Sequence, residues 1–139
     1  MTVADLQLTI VSADRALVNE RVDEVEIPGS DGYFGVLPGH TPLLALLGAG
    51  ELWYRQGQEK HFVSIAFGFA EVQPDRVTIL AQVAEKADEI DVARAEEAKR
   101  RAEERLRQPG VDMDFERARI ALLKSLVRLQ VATRARIRS

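Results

Sequence analysis

The spacing of the apolar residues changes once along this chain, at residues 89–95. Before this segment, apolar residues recur at every second position between frequent glycines and prolines, a pattern typical of β-strands. After it, they recur every three or four positions in a background of Ala, Glu and Arg, a pattern typical of α-helices. The sequence therefore predicts an α+β chain, a sheet followed by helices, with Asp91 at the N-cap of the first helix.

The first 86 residues contain short strand-like segments separated by turn residues, at positions 6–10, 22–27, 33–37, 43–47, 52–55, 61–65, 67–72 and 77–80. The run 43–47 is continuously apolar, and we expect a buried strand or a bend there. The last four segments flank the turns 56–59 and 73–76, which predicts two hairpins. Short strands at regular spacing indicate a small antiparallel sandwich or barrel.

Residues 87–139 predict two helices joined by the Gln-Pro-Gly break at 108–110 as an antiparallel hairpin. The apolar stripe of the first helix consists mostly of alanine. The second helix is expected to bury Phe115, Ala118, Leu122, Leu126 and Leu129. Because a buried CH2 group contributes only about 0.8 kcal/mol, we expect the hairpin to dock weakly on its surroundings.

The formal net charge of −3 is distributed unevenly. Residues 1–84 have five basic and eleven acidic side chains, whereas residues 85–139 have fourteen and eleven. After Glu116, seven basic residues follow without an acid. Such a segment indicates an anionic partner, which could be a protein surface, a nucleic acid, a membrane or a phosphate ligand. Nucleic acid is not expected, because an aromatic platform and a strongly basic domain are missing.

Few residues could carry catalysis. The chain has no cysteine, and its serines lack a Gly-x-Ser-x-Gly context. His40 and His61 have no acidic partner at motif spacing, so we expect neither a zinc site nor a hydrolase triad. No apolar run approaches the roughly 20 residues of a transmembrane helix, and the N-terminus does not resemble a signal peptide, so we expect the protein to stay in the cytoplasm.

Two pairs of residues in the helical segment have a spacing that could bind phosphate. Asp91 and Arg94 are three residues apart, and Lys124 and Arg128 are four apart. The simplest interpretation of the first pair is a helix cap and an ion pair. If the helices fold back on each other, both pairs could face one groove, with Lys124 and Arg128 donating to a polyphosphate and Ile90 contacting a base.

The sequence also resembles a known family. Residues 32–44, Gly-Tyr-Phe-Gly-Val-Leu-Pro-Gly-His-Thr-Pro-Leu-Leu, together with residues 67–72 and 77–80, are similar to the epsilon subunit of bacterial F-type ATP synthase. The resemblance covers essentially the whole chain. It implies a flattened antiparallel β-sandwich in residues 1–86, a regulatory α-helical hairpin in residues 87–139, no catalytic site, no metal and no required cofactor.

The partners that the resemblance implies are the rotor and the catalytic subunits. The sandwich of this family attaches to the gamma subunit and the c-ring, so the resemblance implies a peripheral location at the cytoplasmic face of the bacterial membrane. The implied contact residues are Ser30, Asp31, Gly32, Tyr33 and His40, although Tyr33 stands where an acidic or small polar residue is common. The extended hairpin blocks ATP hydrolysis at acidic segments of the catalytic beta subunits, which implies contacts from Arg117, Arg119, Arg134 and Arg136.

Some family members hold the hairpin folded with bound ATP, through an Ile/Leu-Asp-x-x-Arg-Ala motif. Residues 90–95 match this motif, which implies roles for Ile90, Asp91, Arg94 and Ala95. Glu85 and Arg128 match further residues of the site, whereas Lys124 stands where ATP-binding members have arginine and lacks its planar fork. ATP is thus implied as a regulatory ligand. Two other functions stay open, a stand-alone ATP-sensing module and a small enzyme that uses His40.

Overall fold

The computed structural model describes residues 5–108 and 112–138, with the backbone alone for residues 112–114 and 136–138. Seven strands come first, at Leu6–Val11 (β1), Ala16–Val22 (β2), Glu24–Gly29 (β3), Gly32–Val36 (β4), Leu43–Gln56 (β5), Glu59–Gln73 (β6) and Arg76–Lys86 (β7). A 3-10 turn at Ala87–Glu89 leads to helices α1, Val92–Arg107, and α2, Asp112–Arg138. None of the described helices has the length and apolar content needed to span a bilayer.

The strands follow the order β2-β1-β7-β6-β5-β3-β4. The ladders described are antiparallel, except that β1 and β7 run parallel. Leu6, Leu8 and Ile10 of β1 are fully buried, as their alternation predicts. They belong to a core that the inward faces of the sandwich share with residues such as Leu52, Ile65 and Ile79. The predicted β-sandwich followed by a helical hairpin is confirmed.

Both predicted hairpins are present, and they share the long strand β6. The segments 43–47 and 52–55 are likewise one strand, β5. At the centre of β6, Gly68 has a φ of +121°, and a Cβ there would lie 2.0 Å from the carbonyl oxygen of Leu80. Only glycine fits this crossing without displacing β7.

The expected burial of residues 43–47 is wrong for most of the run. Leu43, Leu44 and Leu46 are 41%, 70% and 57% exposed, and only Leu47 is buried among these leucines. Leu46 pairs across the sheet with Phe69, which pairs with Leu80. These residues and Leu44 form an exposed surface that we call the sheet stripe. A continuous apolar run cannot reveal which face of a strand is covered, because its two faces have the same composition.

The helices pack through small side chains at seven-residue intervals. The buried small residues are Ala95 and Ala102 in α1 and Ala118, Ser125 and Ala132 in α2, and Val127 and Val131 of α2 are buried as well. The expected burial of Phe115 and Leu126 is wrong, since they are 54% and 44% exposed. Small residues allow two helices to approach closely, whereas hydrophobicity alone favours leucine. The break at Pro109 and Gly110 lies outside the described residues.

The hairpin is folded against the sandwich. Helix α2 contacts β5 and β6, and α1 packs mainly on α2. A separate apolar cluster, which we call the docking cluster, joins Ile90 to Val127, Val131 and Ala132. Ala49, Phe62, Ala87 and Val92 pack against this cluster, and weak docking of the hairpin stays a prediction.

Candidate functional site

A cavity of about 420 Å³ lies where the hairpin meets the sandwich. Strands β6 and β7 form one wall and helices α1 and α2 the other. Its lining residues are Ser64, Ile65, Ala66, Val83, Glu85, Arg94, Ala98, Ala121, Lys124, Ser125 and Arg128. The fold therefore brings together four of the residues that the sequence singled out for phosphate or ATP, namely Glu85, Arg94, Lys124 and Arg128.

Arg128 and Glu85 form a two-pronged ion pair in this cavity. The Nε atom of Arg128 donates to Glu85 Oε1 at 2.6 Å, and a terminal nitrogen donates to Oε2 at 3.3 Å. Both side chains are about three-quarters buried. The fork geometry is the one that arginine also uses for phosphate. An anionic ligand on Arg128 would therefore compete with Glu85 or share the guanidinium with it.

Arg94 begins the opposite wall at the start of α1. Its backbone N–H donates to the carboxylate of Asp91 at 3.1 Å, so Asp91 is the N-cap, as predicted. Within the described part of the chain, the Arg94 guanidinium forms no hydrogen bond or ion pair. This arginine lines the cavity and is available to an anion.

Lys124 completes the basic lining from α2. Its Nζ atom lies 5.7 Å from the centre of the Phe67 ring. The cavity thus has three cationic side chains and one carboxylate, with small and apolar residues between them. Such a surface suits an anionic ligand that also has an apolar part.

The other three residues of the implied nucleotide site do not line this cavity in the described structure. Ile90 is 8% exposed and belongs to the docking cluster, so it is not free to contact a base in this conformation. Ala95 is fully buried. Asp91 acts as the cap that orients the first turn of α1. These residues position Arg94 and the linker around the cavity.

A second ion pair holds the linker, residues 87–91, between the sandwich and α1. Arg15, in the β1–β2 turn, donates to both carboxylate oxygens of Glu89 at 2.9 and 2.7 Å. Glu89 also accepts from the backbone N–H of Lys86 at 3.1 Å. The hydrogen bonds from Arg15 are the main cause of a lowered pKa at Glu89. The segment that joins β7 to α1 is therefore held to the sandwich by the ion pair at Glu89.

Arg134 fixes the far end of α2. It pairs with Glu51 of β5 and lies over the Phe62 ring, with the guanidinium carbon 4.8 Å from the ring centre. Hydrogen bonding to Glu51 raises the pKa of Arg134 above its ordinary value. A larger cavity of about 570 Å³ lies beside it, among Tyr54, His61, Phe62 and Lys86. None of the implied nucleotide residues lines that second cavity.

The residues implied for the rotor contact lie at the β3–β4 turn and the start of β4, and in the loop that follows β4. Ser30, Asp31, Gly32 and Tyr33 line a surface depression of about 550 Å³ together with Leu44 and Leu46 of the sheet stripe. The Tyr33 hydroxyl accepts from the backbone N–H of Glu51 at 2.9 Å. His40 lies outside the depression, and its Nδ1 is 2.6 Å from the Thr41 carbonyl oxygen, a structural hydrogen bond within its loop.

The four arginines implied for the catalytic subunits differ in the folded state. Arg117 is exposed, and Arg119 pairs with Glu116 on the same helix. Arg134 is committed to Glu51. The side chain of Arg136 lies outside the described residues. In the folded state the hydrogen bonds of Arg134 therefore go to Glu51.

Sequence reasoning missed the small residues of the cavity, including Ser64, Ala66, Ala121 and Ser125. Ser125 is 2% exposed, and its hydroxyl donates to the Ala121 carbonyl at 2.6 Å. The available signal was the seven-residue spacing of small residues in α2, which marks the face that approaches its neighbours closely.

Comparison with known proteins gives matches over most of the chain. Residues 5–87 match the family described as "ATP synthase, Delta/Epsilon chain, beta-sandwich domain", and residues 88–133 match "ATP synthase, Delta/Epsilon chain, long alpha-helix domain". The ATP synthase epsilon chain of Syntrophobacter fumaroxidans is 50% identical over 127 residues, covering 91% of this chain and 95% of the relative. That of Herpetosiphon aurantiacus is 49% identical over 127 residues, covering 91% and 93%.

Among solved structures, a chain of the Euglena gracilis mitochondrial ATP synthase, in an assembly of OSCP, F1 and c-ring, superposes with a TM-score of 0.80. It is 28% identical, and the match covers 94% of this chain and 82% of that one. The similarity extends through both the sandwich and the helices.

Proposed function

The chain belongs to the ATP synthase delta/epsilon chain family, as an epsilon subunit of the F-type enzyme, and from this premise we propose that it is a rotor subunit whose helical hairpin regulates ATP hydrolysis. It is not a catalytic subunit. We divide it at residue 86, into a sandwich that attaches to the rotor and a hairpin that moves. The end of β7 at Lys86 supports this division.

The sandwich is proposed to bind the gamma subunit and the c-ring. The supporting observation is the sheet stripe, whose Leu44, Leu46, Phe69 and Leu80 are each about half exposed or more. A contiguous apolar surface of this kind marks a protein interface. Residues 30–33 adjoin the stripe and are proposed to contact the c-ring. A peripheral location at the cytoplasmic face of the membrane is proposed with this contact.

The hairpin is proposed to have two positions. In the folded position it is held by the docking cluster and by ion pairs at Glu51, Glu85 and Glu89. In the extended position, Arg117, Arg119, Arg134 and Arg136 reach acidic segments of the catalytic subunits and inhibit hydrolysis. The expected weak apolar docking supports this proposal, because inverting a two-state population needs only about 5.5 kcal/mol of differential binding.

ATP is proposed to stabilise the folded position. One observation carries this proposal: Arg94, Lys124, Arg128 and Glu85 converge on one cavity although they come from three elements. Its volume lies within the range of small-molecule sites. ATP at a hundred times its dissociation constant would favour the folded position by about 2.7 kcal/mol.

Truncation tests the regulatory role. An ATP synthase that contains this chain cut after Glu89 should assemble its rotor and hydrolyse ATP faster than the complex with the full chain. Unchanged hydrolysis would argue against inhibition by the hairpin. Failure of the full chain to co-purify with gamma would instead favour a stand-alone ATP sensor.

Hydrogen exchange tests the ATP site in the isolated full chain. Millimolar ATP should slow exchange in α1 and α2, and Arg94→Ala or Arg128→Ala should abolish that protection. Arg119→Ala is the matched control, because Arg119 is exposed and pairs within its own helix. Protection that persists in both cavity variants would show that ATP binds elsewhere.

A further inference from the structure

Phe67 has a backbone conformation that its residue type disfavours. Its φ is +62°, the left-handed region, and it is the one residue other than glycine with a positive φ in the described structure. A bulky side chain costs free energy there, so such a residue persists only where its surroundings hold it. The location of a strained residue is therefore informative.

Phe67 does not pair with a residue of either neighbouring strand. Ala66 pairs with Ala49 and Val83, and Gly68 pairs with Leu47 and Ala81, so the register is the same before and after Phe67, but Phe67 itself has no ladder partner on either side. Strand β6 is irregular at Phe67 and Gly68, both of which have a positive φ. A glycine would serve this irregularity without strain, as Gly68 does at the next position.

The Phe67 ring instead contacts the hairpin. Lys124 of α2 lies over it, at 5.7 Å from Nζ to the ring centre, within the range of a cation–π interaction. Ala66, the residue before it, lines the hairpin cavity together with Lys124. Phe67 thus meets α2 at the edge of the candidate site.

Three basic residues of α2 then contact three different strands. Lys124 lies on Phe67 of β6, Arg128 pairs with Glu85 of β7, and Arg134 pairs with Glu51 of β5. The last two are ion pairs between residues that do not have a positive φ. The first depends on the conformation of Phe67.

We propose that Phe67 is a positioning residue for the folded hairpin: its left-handed conformation presents the ring to Lys124 and thereby anchors α2 at the cavity. This deepens the proposed function, since the folded hairpin is the state that it concerns. On this proposal, the strained backbone of Phe67 persists because it lets the ring contact α2.

The test uses the full chain without ATP and measures hydrogen exchange. Phe67→Leu keeps an apolar side chain and removes the ring, so α2 should exchange about two- to fivefold faster. Lys124→Met should have a similar effect, and the double variant should add nothing further. Phe69→Leu is the matched control, since it removes an exposed ring of the sheet stripe and should leave α2 unchanged.

The variant Phe67→Gly distinguishes an effect on the docking of α2 from an effect on the stability of the sandwich. It should loosen α2 to the same extent, while the sandwich exchanges no faster than in the unaltered chain, because the strain has been removed. A spectroscopic readout adds to this: the Lys124 side-chain protons should show a ring-current shift that Phe67→Leu removes and Phe69→Leu keeps.

Unchanged exchange in α2 for Phe67→Leu, additive effects in the double variant, or loosening of the sandwich in Phe67→Gly would each overturn the proposal. Because no ATP is present, such a result would leave the proposed ATP site standing. Conversely, an absence of ATP protection would not affect the role of Phe67.

Discussion

Arg134, near the C-terminal end of α2, donates two hydrogen bonds of 2.9 Å to Glu51 of β5. The carboxylate is largely shielded from solvent, because Glu51 is only 8% exposed. The backbone N–H of the same residue is held by the Tyr33 hydroxyl. Glu51 therefore joins the end of the hairpin to Tyr33, one of the residues proposed to contact the c-ring.

Removing the Arg134 side chain should weaken the docking of α2 more than neutralising Glu51 does. Arg134→Met leaves Glu51 charged and almost buried, whereas Glu51→Gln leaves Arg134 partly exposed to water. We expect the docking of α2 to weaken by about 1–2 kcal/mol in the first variant and by about half that in the second. Hydrogen exchange of α2 measures both. Arg119→Met, at an exposed pair within α2, should change it by less than about 0.5 kcal/mol; equal costs at Arg134 and Glu51 would contradict this interpretation.

Attachment of the linker should weaken in acid. Because the pKa of Glu89 is lowered in the folded protein, the contribution of this carboxylate is complete above its ordinary value of about 4.5 and is lost as the pH falls through the lower folded value. Exchange of the Lys86 amide, corrected for its intrinsic rate, should rise in that window. Glu89→Gln should remove this rise, and Glu97→Gln should keep it, since the pKa of Glu97 is lowered mainly by Arg100 on the same helix. A rise that survives in Glu89→Gln would assign it to another carboxylate.

Gly68→Ala should destabilise the sandwich strongly. The new Cβ would combine a disfavoured φ with a backbone clash against Leu80, and we expect a loss of about 3 kcal/mol or more in urea unfolding. Gly57→Ala is the control, because Gly57 has a φ of +63° but nothing within 4 Å of the added carbon, so its cost should be about 1 kcal/mol. Similar losses of stability for both variants would mean that β7 can shift away from the added Cβ at little cost.

Charging the sheet stripe should weaken binding to gamma without unfolding the chain. Leu46→Lys places a charge at the centre of the proposed interface, and we expect at least a tenfold loss of affinity, about 1.4 kcal/mol. Leu46 is 57% exposed, so the free energy of unfolding should change by less than about 0.5 kcal/mol. Leu126→Lys, at an exposed leucine of α2, is the matched control in a binding titration. Equal affinity for both variants would place the interface elsewhere.

The local features of the fold could be predicted from the sequence. The alternation of Leu6, Leu8 and Ile10, the turn at Gly57 and the cap at Asp91 depend on residues within a few positions of one another. The same holds for the change of period at residues 89–95. The residue pattern also predicted a sandwich or barrel and a helical hairpin, the family resemblance specified the sandwich, and the sandwich and the hairpin are confirmed.

Burial was predictable only where one face of an element differs clearly in composition from the other. Leu46 and Leu126 are exposed and Ser125 is buried, against their hydrophobicity. A strand with two apolar faces and a helix with both leucines and small residues each allow two orientations. The surfaces that pack against them decide between these orientations, and those surfaces come from distant parts of the chain.

The sequence by itself determined the elements, the basic character of α2 and the candidate motif at residues 90–95. Only the tertiary structure decided which acid holds each cation, because the partners lie 43 residues apart for Arg128 and Glu85, 74 for Arg15 and Glu89, and 83 for Arg134 and Glu51. The physical reason is that periodicity and capping act through the covalent neighbourhood, whereas an ion pair acts through space at about 3 Å. Such a distance exists only after the strands have paired and the hairpin has folded against them.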